Sequence, residues 1–263
     1  MPNCNTPKEY RKALGFTNQQ VLKTYCKATD IVSVNWTLIE QYNSRLIELF
    51  AKINAVIMDE YKMAPQEFDG FKLQVEDAYS ILKGNSIINS FTNNGRPREG
   101  VYYNWMRGYM VSLFFKKVIA KIFDVAEAEV EQLGKDNLQI VKETGESGNF
   151  KRDALADLKI ESKKIHIEVQ AGFTGKNDIK RSKANDANQR KADGWDTYVL
   201  HFDLFNGKLA VIDITNLNSL AEKQWIENAQ FEGVFTVTIP EDAFKWNITT
   251  KLPLFAELSY TIE

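Results

Sequence analysis

Cysteine and histidine are almost missing from this chain, with two of each in 263 residues. Cys4 and Cys26 are too few and too near one end to build a disulfide framework or a zinc site, and a reducing compartment is expected. Positive charge is not in excess either: 33 Lys and Arg stand against 35 Asp and Glu, the formal charge is −2 and the pI is near 5.9. Nucleic-acid binding through bulk cationic surface is thereby excluded, and any polyanion site must be a local patch. No uninterrupted apolar run is long enough to span a bilayer, and the residues from Met1 to Lys8 lack an apolar signal core. A cytoplasmic protein without membrane contact is expected. Internal repeats and low-complexity segments are lacking too, which excludes a solenoid. What is present, 44% hydrophobic and 26% charged residues, is the composition of a globular chain with a substantial core.

The first part of the chain reads as helical. Thr17-Asn-Gln-Gln20 has the capping-box arrangement ahead of Val21, Leu22, Tyr25 and Cys26. From Trp36 to Ile57, the residues Ile39, Tyr42, Leu46, Leu49, Phe50, Ile53 and Ile57 recur at three- and four-residue steps, which predicts one helix with a single buried stripe. The join near Ala28-Thr-Asp30 suggests a helix-turn-helix, but no basic recognition face accompanies it, and packing is the simpler role. Pro65 and Asp69-Gly70 mark a break before a short helix from Val75 to Leu82. Asn85 to Gly100 reads as a polar loop; its Arg96 and Arg98 suit phosphate or guanine edges, with a solvated surface loop as the alternative. A long, largely buried helix from Val101 to Phe123 follows, with Glu99 at its N-terminal turn where the helix dipole favours a carboxylate. Ala126 to Leu133 is expected to extend the helical layer.

From residue 137 the period changes. Leu138 to Lys142 is a candidate strand, and Leu158 to Ile160 and Ile165 to Val169 alternate apolar and polar residues around a polar Glu-Ser-Lys-Lys turn. If Ile160 pairs with Ile165, antiparallel register sets Asp157 opposite Glu168 and puts Asp157, Glu168 and Gln170 on one face. Leu158, Ile160, Ile165, Ile167 and Val169 take the other. Two carboxylates that close call for a cation, and a divalent ion with hard oxygen ligands, Mg²⁺ above all, suits an open sheet face. Acidic residues on the solvated side of a surface hairpin are the plain alternative. Asn177 to Lys191 is helix-compatible and basic, with Lys180, Arg181, Lys183, Arg190 and Lys191. Thr197 to Leu204 and Lys208 to Ile214 are strands joined at Asn206-Gly207. A helix around Leu220 to Asn228 and a strand from Val234 to Ile239 complete the chain.

This order, with Asp157, a spacer and Glu168-Val-Gln170, resembles the PD-(D/E)xK nuclease superfamily over about residues 99–214. Gln170 stands where lysine is usual, which is similar to the E-x-Q branch among type II restriction endonucleases, and no proline precedes Asp157. The resemblance implies an α/β fold with a restriction-endonuclease-like α-β-β-β-α-β core at 99–214, an N-terminal helical region at 1–98 and a C-terminal extension at 215–263 packed on the core. It implies an enzyme, a Mg²⁺-dependent site-specific double-stranded DNA endonuclease acting as a homodimer. Asp157, Glu168 and Gln170 would be catalytic, Asp157 and Glu168 would hold the metal, and Lys180, Arg181, Lys183, Arg96 and Arg98 would contact DNA. Asp153 is the rival for the first acid. His166, opposite Lys159 on the acidic face, is expected to be a hydrogen-bonding residue. A repair or recombination nuclease of the same fold, and a non-catalytic nucleic-acid-binding protein, are the alternatives.

Overall fold

Two strands with strict two-residue alternation lie at the heart of a mixed seven-stranded sheet. β2 (Leu158–Ile160) and β3 (Ile165–Gly172) pair antiparallel, with Ile160 opposite Ile165 and Leu158 opposite Ile167, the register expected from the pattern. A 3-10 turn, Glu161–Lys163, joins them and ends on Lys164 in the left-handed region at φ 56°. The computed structural model describes residues 6–16, 18, 21–22, 25, 36–84, 88, 98–133, 156–173, 177–220, 225–228 and 234–262. Asp153, Arg96, the strand expected at 138–142, Cys4, Cys26 and the join at 28–30 lie outside them, as do the side chains of Arg98 and Glu99.

On one edge of the hairpin, β1 (Glu131–Gln132) pairs antiparallel with β2; on the other, β5 (Asp196–Asp203) runs parallel to β3. β6 (Lys208–Asp213) returns antiparallel to β5, and its far side is shared by β9 (Trp246–Asn247), antiparallel, and β10 (Ser259–Thr261), parallel. A three-stranded sheet of β4 (Asp178–Lys180), β8 (Val234–Thr238) and β7 (Ile226–Asn228) stands apart.

Each face of the large sheet has its own core. Leu158, Ile160, Ile167, Val169, Leu200 and Phe202 pack against the helices α2 (Trp36–Val56), α3 (Pro65–Gly84), α4 (Arg98–Phe114) and α5 (Lys116–Ile122). All seven residues of the expected stripe are buried, six on α2 and Ile57 one residue past its end. The opposite face, with Val199, Ala210 and Ile212, is covered by Ala184 and Ala187 of α6 (Arg181–Ala192) and by Ile179 and Val237 of the small sheet. α1 (Pro7–Ala13) sets Tyr10 under the β5–β6 turn, where Gly207 has φ +66° and an added Cβ would lie 2.9 Å from the Tyr10 ring. Glycine is required there on both counts.

Several sequence expectations change. Pro65 opens α3 rather than breaking a helix, because the first helical turn needs no proline N–H. The helix expected from Val101 to Phe123 is two, divided at Phe115. Glu127–Glu129 is a 3-10 turn leading into β1, not a helical extension. Asp178–Lys180 is a strand before the helix, and Ile226–Asn228 is a strand after α7 (Leu217–Leu220) instead of a helix. Asn18 Oδ1 accepts the backbone N–H of Val21 at 3.0 Å; Thr17 and Gln20 of the expected capping box lie outside the described residues. Among the described residues no helix is long and apolar enough to cross a membrane.

Candidate functional site

Continuing the β2–β3 register by one residue beyond Leu158 and Ile167 sets Asp157 opposite Glu168. Asp157 sits just before β2, and its Oδ2 accepts the backbone N–H of Val169 at 2.7 Å, which holds the carboxylate against the edge of β3. On that strand His166, Glu168 and Gln170 share the second face of the sheet, because alternate residues point the same way. The expected open acidic face is not open: α6 lies over it and Glu168 is 4% exposed.

The cations that this burial demands come from the chain itself. Lys183 pairs through Nζ with Glu168 Oε2, and Arg190 Nη1 donates to Oε1 at 3.1 Å. Lys183, Ala187 and Arg190 stand at i, i+4 and i+7 on α6, so small residues let the helix approach while the two long side chains reach Glu168. Burial pushes the Glu168 carboxyl up, but the Lys183 ammonium and the Arg190 guanidinium together hold it below its usual range. Lys183 is pulled down by burial and raised more strongly by Glu168 and Asp157, ending above its usual value. Asp186, on the same helix, has its carboxyl pushed up by burial.

Gln170 lies opposite His201 in the parallel β3–β5 pair, and His201 Nδ1 is 3.0 Å from Gln170 Oε1. His201 is 4% exposed, and burial followed by the charge of Arg107 pushes its imidazole down to about 3. His166 packs at a tilt against Trp195, with ring centroids 4.3 Å apart and 40° between the ring planes. Burial and then Arg190 push its imidazole down to about 4, so it is neutral at pH 7 and donates no proton from an imidazolium there.

Of the residues expected to contact DNA, Lys183 is paired with Glu168. Lys180 precedes α6 at its N-cap, and Arg181 lies over the rings of Trp225 and Phe235 at 5.8 and 6.0 Å. Asp157, Glu168, Gln170 and Lys183 are thus brought together, and Arg181 stands at the start of the same helix. Arg190 and His201 went unassigned by sequence reasoning. The seven-residue spacing of Lys183 and Arg190 across Ala184 and Ala187 is the signal for the first; His201 has none, since only strand order places it beside Gln170.

The donor set fits Mg²⁺. Carboxylate oxygens are its preferred ligands, one or two suffice beside water and phosphate, and each carboxylate offers about four lone-pair sites, of which Glu168 gives one to Lys183 and one to Arg190. Among the described residues no group of three or more His, Cys, Asp or Glu stands together, so water and substrate would complete the shell. No protein-family model, curated protein or solved structure matches the chain.

Proposed function

We propose that the chain is a Mg²⁺-dependent, site-specific endonuclease of double-stranded DNA, similar to the E-x-Q branch of type II restriction enzymes. The observation that carries this reading is Lys183 on Glu168: a cation from the crossover helix stands at the acid pair, while the motif strand itself carries Gln170. Helix, three strands of the large sheet, a crossover helix preceded by the short β4 of the small sheet, and a strand parallel to the third, in that order, support the same reading.

In this reading Asp157 and Glu168 hold Mg²⁺, which when bound supplies Lewis-acid stabilisation of phosphate charge and makes water a better nucleophile. Lys183, held protonated by the two acids, is a donor to a phosphoryl oxygen rather than a base. Gln170 contributes neutral amide hydrogen bonds. Arg190 keeps the Glu168 carboxylate ionised and aimed at Lys183. A homodimer on a symmetric site would place one such centre at each strand.

The test is cleavage of unmodified plasmid DNA with and without Mg²⁺ by the wild type, Asp157→Asn and Glu168→Gln. Isosteric amides are chosen because they keep the side-chain volume and one acceptor oxygen; Glu168→Gln still removes the charge facing the buried Arg190 and the partly buried Lys183, at a cost of up to about 3–5 kcal/mol, so folding of each variant is checked by circular dichroism. Discrete fragments that require Mg²⁺ and fall by about 100-fold or more in either variant are expected, the scale of losing one charge-stabilising group. Undiminished cutting by both variants would overturn the site; DNA binding without cutting would favour the non-catalytic alternative.

A further inference from the structure

The geometry points to His201 as the positioning residue for Gln170: its Nδ1–H holds Gln170 Oε1, so that the amide N–H₂ is presented as a phosphate donor beside Glu168 and Lys183. This rests on the nuclease reading above and assigns Gln170 its place in it.

Strand pairing makes the contact. His201 and Gln170 are directly opposed in the parallel β3–β5 register, and opposed residues stand on the same side of a sheet. The separation of Nδ1 and Oε1 is 3.0 Å. A buried, neutral imidazole has a single N–H, and the amide oxygen is only an acceptor, so the proton belongs on Nδ1. Nε2 is then a bare acceptor, and it has no hydrogen-bond partner. It faces Gly172, where an added Cβ would come within 3.3 Å. Any larger residue at 172 would press on the ring that orients Gln170. His201 is further fixed by the edge of Phe244, with ring centroids 5.8 Å apart.

The consequence for Gln170 follows from its planar amide. With Oε1 held at the imidazole, Nε2 is the limb turned away from the ring and carries two donors. Glu168 lies two residues back on the same face and bears Lys183. The amide and the ammonium therefore form a pair of donors along one strand, and a glutamine that would otherwise present either atom presents nitrogen. Without His201 the amide is free to turn its oxygen towards the phosphate, which repels it.

Two measurements test this. Long-range ¹⁵N–¹H correlation spectra of the wild type give the tautomer of each histidine; the chain has two, and His166→Asn assigns them. The Nδ1–H form of His201 is expected, and the Nε2–H form would overturn the proposal whatever the activity. Single-turnover plasmid cleavage is then compared for His201→Leu, His201→Asn, Gln170→Ala and the double variant Gln170→Ala/His201→Leu. His201→Leu should lower the cleavage rate about tenfold, the scale of one hydrogen bond, with unchanged DNA affinity. His201→Asn, whose amide N–H₂ falls near the Nδ1 position, should recover to within about threefold on the same scale. The double variant should cut no more slowly than Gln170→Ala. An equal loss from His201→Leu in both backgrounds would show a purely structural role. A wild type that never cuts DNA would remove the nuclease reading and the phosphate-donor role, even with the Nδ1–H tautomer present.

Discussion

A histidine buried without charge is a debt that falls due in acid. The imidazole of His201, pushed down to about 3 by burial and then by the charge of Arg107, stays neutral in the folded protein while the unfolded chain takes up a proton near the ordinary value of 6.5. The unfolded state therefore binds more protons as pH falls, and stability decreases from pH 6.5 towards the folded value. At pH 5 the loss from this residue is about 2 kcal/mol, at about 1.4 kcal/mol per pH unit. Glu168 acts in a lower window, because its depressed carboxyl contributes stability above the ordinary carboxylate value that is lost only as pH drops through its folded one. Urea unfolding at pH 7 and pH 5 should show the drop in the wild type and a smaller one in His201→Asn, in which only His166, pushed down to about 4, is left of the two buried imidazoles. An equal drop in both proteins would place the acid sensitivity elsewhere.

Helix α6 decides whether the acid pair is a site at all. Its interior face carries Ala184 and Ala187, both fully buried against the sheet, and only side chains this small leave Lys183 and Arg190 in reach of Glu168. Ala187→Leu adds three carbons to a filled interface and should cost about 1–3 kcal/mol, read as a fall in melting temperature of several degrees, with loss of Mg²⁺-dependent cleavage as the cation pair is lifted away. A variant of unchanged stability and activity would show that the helix has room to move. The sequence carried the period of this helix but not its use. Five basic residues in fifteen read as a DNA-contacting face, and the partner of Lys183 lies fifteen residues away on a strand, a contact that no local pattern encodes. The hairpin was legible for the opposite reason: alternation over three and five residues leaves one register that buries Leu158, Ile160 and Ile167. Strands of two or three residues, β1, β4 and β7, are too short to show a period; pairing partners from distant segments make them strands.

At the scale of the whole molecule, a formal charge of −2 means that, in the proposed nuclease, long-range attraction to DNA would be weak and a few cations would have to supply the salt dependence. Each phosphate neutralised adds about 0.9 to the slope of log K against log salt. Arg181 is suited to such a contact, because Trp225 and Phe235 hold its guanidinium at the start of α6, which reduces the ordering cost on binding. Lys183 should add little to that slope even where it donates to a phosphoryl oxygen, because its charge is already balanced by Glu168. Binding of a duplex fragment without divalent metal, titrated across monovalent salt, should therefore give Arg181→Ala a slope shallower by about 1 and leave Lys183→Met with the slope of the wild type. A shallower slope for Lys183→Met, with none for Arg181→Ala, would show that Lys183 neutralises phosphate as an unbalanced cation and that Glu168 is neutralised by Arg190 alone in the complex.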